Sequence, residues 1–177
     1  MAKLKNTMDL EGNNCYEMIE QGKHQEAIEC LDKILESNPE DAEAWNNKGI
    51  ALGKLGIIGR YQEAIECYDK AIEIYDFMAS KSEISNALEL DPKYVNAWHG
   101  KGYALGKLGM YNEAIECLDK ALELNPKEAE SWYDKGVVLE KLDRTQEALE
   151  CYDKALELDS HFESAIKAKE GLSQLNN

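Results

Sequence analysis

Apolar positions in this chain fall into paired segments with helical spacing. In the second segment of each pair an alanine is followed four residues on by a large apolar residue (Leu31, Tyr68, Leu118, Tyr152) and seven on by another apolar one (Ile34, Ala71, Ala121, Ala155). That stripe marks one face of an amphipathic helix. In the first segment Trp45, Trp98 and Trp132 each precede a glycine by four residues (Gly49, Gly102, Gly136) and a leucine by seven (Leu52, Leu105, Leu139). Gly22, Gly56 and Gly109 punctuate the turn inside a pair. Asn38-Pro39, Asp91-Pro92 and Asn125-Pro126 close the pairs, because proline cannot continue a helix and restricts the residue before it. Gly49, Gly102 and Gly136 are expected to face Ala64, Ala114 and Ala148, where two helices cross closely.

The pairs repeat at a fixed period. Trp98 to Trp132 spans 34 residues, and Trp to the alanine is 16 residues in both the third and fourth copies. In the first copy Glu11 stands where the Trp would be, again 16 before Ala27. The copies are therefore set at 7–41, 42–94, 95–128 and 129–162, with a capping helix and tail over 163–177 that places Ile166, Lys169, Leu172 and Leu175 on one side. An isolated helix of ~13 residues is marginal in water, so each copy needs its neighbours. The expected fold is all-α.

The second copy is irregular. Trp45 to Ala64 is 19 residues, which puts three extra residues near 57–59. Ala64 to Pro92 is 28 residues where the first and third copies have 12, which puts 16 more near 75–90. If the second helix simply ran on, these would carry it ~24 Å past its normal end. The third copy could then not stack on the second, and a domain-swapped homodimer through 75–90 would follow. Alternatively, Ser80-Lys81-Ser82-Glu83 has capping-box spacing and Ile84, Ala87 and Leu90 repeat the helical stripe. That reading expects a break near 79–82, a short extra helix, and Ile57 and Ile58 covering nearby apolar surface.

The joint pattern over roughly 7–162 resembles the tetratricopeptide repeat family, with its Trp, Gly, Ala and Pro at period 34. The sequence departs from the family where Lys48, Lys101 and Lys135 precede the glycine, where leucine replaces tyrosine, and where Ser160 replaces the last proline. The lysine stems are expected to pack while the ammonium reaches water. The resemblance implies a right-handed α-α superhelix of four helix-turn-helix repeats plus a C-terminal capping helix. It also implies a concave groove, lined by the first helices, that binds extended peptides. Carried over residue by residue, the groove stripe is Tyr16, Ile50, Tyr103 and Val137, flanked by Asn13, Asn46, Asn47, Asn96, His99, Tyr133 and Asp134. Charge along these rows favours a ligand with an apolar or mildly acidic centre. The pattern needed to clamp an acidic chaperone tail is met only at Asn47.

Composition narrows the function further. The chain has 177 residues and a net charge of −15, which repels nucleic-acid phosphates and anionic membrane surfaces. No stretch approaches the ~20 apolar residues of a membrane span, and no secretory signal is read at the start. Five cysteines without such a signal suggest a cytoplasmic, reducing setting with all thiols free. Cys30, Cys67, Cys117 and Cys151 share one register on successive second helices, too far apart for bridges among them. The acidic residues read as a solvated convex face, with Glu29–Lys33, Glu66–Lys70, Glu116–Lys120 and Glu150–Lys154 as i, i+4 pairs. His24, His99 and His161 fall at three registers. No catalytic residue, metal site or cofactor is assigned, so the chain reads as no enzyme. The expected function is a scaffold that binds a peptide or protein segment in the concave groove. The alternative is a self-assembling structural protein.

Overall fold

The structure is a computed structural model and describes residues 14–81 and 92–175. Helix α1 covers residues 14–20. It is followed by α2 (His24–Ser37), α3 (Ala42–Lys54), α4 (Ile58–Lys81), α5 (Pro92–Lys107), α6 (Tyr111–Leu124), α7 (Ala129–Lys141), α8 (Thr145–Leu158) and α9 (Glu163–Leu175). Each helix from α2 onward packs on the next in sequence, and α3, α5, α7 and α9 also pack on one another in order. First helices therefore form one layer and second helices the other, in a right-handed α-α superhelix. No strand occurs among the described residues.

Two of the three tryptophans tie a copy to the one before, while the buried Trp98 Nε1 has no hydrogen-bond partner among the described residues. Trp45 Nε1 donates to the Pro39 carbonyl at 2.9 Å, and Trp132 Nε1 donates to the Pro126 carbonyl at 3.0 Å. The Asp41 side chain accepts from Ala44 N and caps α3. The turn glycines Gly22, Gly56 and Gly109 all have positive φ, and Asp143 takes the same conformation in the fourth copy at φ 58°.

The helix-crossing glycines meet larger partners than the sequence reading supposed. A Cβ on Gly49 or Gly136 would strike the ring of Tyr68 or Tyr152, and one on Gly102 would lie 2.8 Å from Leu118 Cγ. The glycine thus receives the large side chain four residues after the alanine. This follows from side chains on a helix pointing back toward its N-terminus, over the preceding turn.

The second copy is closed within the one chain. Helix α4 has 24 residues against 14 for α2, α6 and α8. It runs unbroken through residues 79–81; the expected extra helix at Ile84, Ala87 and Leu90 lies outside the described residues. The overrun does not prevent stacking, because α5 packs on both α3 and α4. Helix α5 gains an early first turn, and Tyr94 donates its hydroxyl to Asp76 Oδ1 at 2.6 Å while its ring meets Tyr75 edge-on. Lys93 pairs with Glu43 at 2.5 Å and anchors the same turn to α3. The three residues inserted near 57–59 become an extra first turn of α4, and Ile57 and Ile58 are 57% and 73% exposed rather than covering a surface.

Two repeated features that looked independent are partners. Lys48, Lys101 and Lys135 cross to Asp32, Asp69 and Asp119 on the preceding second helix, each at 2.5 Å, and Lys169 does the same with Asp153. The first three lysines lie over their own Trp rings at 5.5–5.7 Å. The ammonium therefore spans a helix junction instead of simply reaching water. On the outer face, Lys70, Lys120 and Lys154 pair with glutamates three residues on, not with those four residues before.

The expectation of five free thiols is overturned. Cys15 and Cys30 form a disulfide with Cα atoms 5.7 Å apart, while Cys67, Cys117 and Cys151 are free and buried. Cys15 lies four residues after Glu11, in the register of Gly49, Gly102 and Gly136. That is where the two helices of a copy approach most closely. Comparing second helices only with one another hid this pairing. With the bridge in place, cysteine usage no longer argues for a reducing compartment. No described helix is long and apolar enough to cross a membrane.

Candidate functional site: a cleft on the concave face

A cleft of about 410 Å³ opens where the first helices of the second, third and fourth copies converge. Helix α3 contributes Ile50 and Lys54, α5 contributes Asn96, His99 and Tyr103, and α7 contributes Asp134. Stacking places these residues together because each register recurs along the inner layer. A second cleft of about 570 Å³, lined by Trp45, Cys67 and Lys70 among others, recurs at matching positions around Trp132, Cys151 and Lys154. Its recurrence marks it as a product of the repeat. The concave cleft mixes three copies and owes its character to this sequence.

Of the expected groove residues, Ile50, Asn96, His99, Tyr103 and Asp134 line this cleft. The others do not. Tyr16 stands on α1, 47% exposed. Asn46 and Asn47 are buried, and the Asn46 Oδ1 atom has no hydrogen-bond partner. Tyr133 is half-buried against Tyr152 and Phe162, and Val137 packs on the core of the last copy. The capping region thus takes up the fourth-copy part of the stripe. Asn13 lies outside the described residues.

The charge pattern also changes when the helices are placed. Lys54 of the second copy shares the cleft with Glu128, at the end of the third copy, and with Glu130 and Asp134 of the fourth. The superhelix brings charged groups of different copies to one cleft. His99 Nε2 and Asp134 Oδ2 are 2.8 Å apart, with each side chain 18% exposed. Burial pulls the His99 imidazole down, but the Asp134 hydrogen bond and charge, with Glu128 and Glu130, outweigh it and hold the ring above its ordinary 6.5. Tyr103 is 37% exposed, packs edge-on to Tyr61, and carries Lys107 over its ring at 4.8 Å.

Tyr68, from the second helix α4, also reaches the cleft, and the sequence reading did not include it. The signal was present in Gly53 and Gly100, glycines at groove registers that leave an opening between α3 and α5. Among the described residues no group of three or more His, Cys, Asp or Glu side chains is arranged to hold a metal ion.

Stacked helix hairpins with a concave cleft between first helices define a helical-repeat scaffold. The chain belongs to the tetratricopeptide repeat family: profiles of that repeat match residues 19–79, 95–128 and 129–162. Solved structures of MamA share the fold. One MamA crystal structure matches at 19% identity and TM-score 0.72, covering 96% of this chain and 82% of that one. MamA from Desulfovibrio magneticus RS-1 matches at 21% identity and TM-score 0.66, covering 96% and 94%. No curated protein sequence matches the chain.

Proposed function

We propose that this chain is a non-enzymatic scaffold that holds a peptide or an extended protein segment in the concave cleft. The observation that carries this reading is the convergence of Ile50, Asn96, His99 and Tyr103 on one cleft, since these are residues carried over from the family's peptide groove. The cleft offers what a peptide needs. Ile50 and Tyr103 supply apolar and aromatic surface, and Asn96 is exposed with both a donor and an acceptor for a backbone amide. The partner is a protein or peptide; the acidic balance disfavours nucleic acid. The test selects ligands for the full chain from a random-sequence peptide display library. Tyr103→Ala and Asn96→Ala are expected to weaken them, and Glu116→Ala, on the second-helix layer, is not.

Self-association is the second reading. Phe77 and Met78, on the overrun of α4, are 53% and 58% exposed. Light scattering on the full chain separates the two: a stable dimer lost on Phe77→Ser with Met78→Ser favours self-association, and a 20.0 kDa particle at all concentrations rejects it.

A further inference from the structure

Tyr68 is a core residue with an end that the core does not use. It is 4% exposed, and its ring fills the space above Gly49. Its hydroxyl passes between two more glycines. A Cβ on Gly100 would lie 2.6 Å from that oxygen, and one on Gly53 would lie 4.0 Å from it. The glycines are the reason this side chain reaches the concave cleft from the outer layer of helices.

The fourth copy shows what such a hydroxyl ordinarily does. Tyr152, at the same register, donates to Glu140 Oε2 at 2.9 Å. The position equivalent to Glu140 in the second copy is Gly53, eight residues after the tryptophan in both copies. The Tyr68 hydroxyl has lost that acceptor and makes no hydrogen bond among the described residues. The oxygen opens to the cleft, so water or a bound group can take the place of that acceptor.

The same cleft supplies the charge. Glu130 is exposed on α7 and makes no ion pair or hydrogen bond among the described residues, while Glu128 and Asp134 are already bonded to Ser131 and His99. Against these three carboxylates the one lysine or arginine among the described lining residues is Lys54, which leans to Glu20 at 3.4 Å. The balance calls for a positive group.

We propose that the Tyr68 hydroxyl and the Glu130 carboxylate form a subsite for the cationic side chain of an arginine or lysine in the bound segment. This inference rests on the cleft being the peptide site. The cation's N–H groups would donate to both oxygens, and its alkyl stem would lie along Ile50 and Tyr103. Burial pushes the Tyr68 phenol up, so at neutral pH it stays protonated and its oxygen remains a neutral acceptor.

The test uses peptides selected on the full chain from a random-sequence display library. The selected peptides are expected to share one basic position. Changing it to norleucine should weaken binding about tenfold. Tyr68→Phe and Glu130→Gln should each weaken the basic peptide by a similar factor and leave the norleucine peptide unaffected. Tyr68→Phe should also leave the melting temperature unchanged, since no internal bond is lost. A fall of about 2–4 °C, the mark of a lost internal hydrogen bond, overturns the proposal. Peptides that need Tyr103 but show no basic preference, or ignore Tyr68→Phe, overturn the subsite alone. Peptides indifferent to Tyr103→Ala overturn the cleft reading and the subsite with it.

Discussion

Lys101 Nζ lies 2.5 Å from Asp69 Oδ1, a carboxylate 32 residues earlier in the chain. The equivalent pairs Lys48–Asp32, Lys135–Asp119 and Lys169–Asp153 are separated by 16 residues. The extra 16 are the insertion in the second copy. The same contact on both sides of it means that the third copy docks on the second as the fourth docks on the third.

These pairs are expected to couple neighbouring copies weakly. The lysines are about one-fifth exposed and the aspartates about half, so solvent screens the attraction. A double-mutant cycle with Lys101→Met and Asp69→Asn should give a coupling of ~0.5–1 kcal/mol in urea unfolding, reduced at high salt. No coupling at low salt would show that this pair does not help hold the third copy on the second.

Thiol counting checks the first copy. Under denaturing conditions a thiol-reactive dye should label three cysteines before reduction and five after it. In the native state labelling should be slow, because burial pushes the Cys67 thiol up to about 12 and Cys117 and Cys151 up to about 11. Reduction should destabilise the first copy by about 3 kcal/mol, the loop-closure value for a bridge of this span. Five labels without reductant would remove the bridge.

His99 gives the cleft a pH dependence with a defined sign. Its folded pKa is raised above the ordinary 6.5. The stability it contributes is fully present below the unfolded value and is lost as pH rises through the folded one. The melting temperature of the wild type should therefore exceed that of His99→Gln by more at pH 5.5 than at pH 8.5. An equal difference at both would show that the Asp134 pair does not raise the imidazole.

Asp143 at φ 58° holds a backbone position that glycine fills in the other three turns. Asp143→Gly should raise stability by ~0.5–1 kcal/mol, since glycine adopts this region without a Cβ clash. Thermal unfolding reads the change directly. A loss would mean that the Asp143 side chain stabilises the turn by more than the strain costs.

The repeat was legible because its residues are set by local packing rules. Tryptophan, glycine, alanine and proline at fixed offsets mark helix crossings and ends whatever the partner is. What remained hidden depends on which helices come together. Cys15 was recognisable only as an occupant of the glycine register. The Lys–Asp contacts needed the observation that both series share one spacing. The length of α4 stayed open because Ser80-Lys81-Ser82-Glu83 can start a helix or lie within one. The groove rows located Ile50, Asn96, His99 and Tyr103, yet they were drawn from first helices alone. Tyr68 entered the cleft through a glycine opening that no single row contains.

The central claim is that the concave cleft holds a peptide, and affinity measurement on peptides selected against the full chain tests it most directly. Fluorescence anisotropy would give Kd for the wild type, Tyr103→Ala, Asn96→Ala and Glu116→Ala, with helicity checked for each. The account predicts that the two cleft variants bind at least about fivefold more weakly, a loss of ~1 kcal/mol or more, and that Glu116→Ala stays within about twofold. Folded cleft variants that bind as tightly as the wild type, or an equal loss from all three, would contradict it.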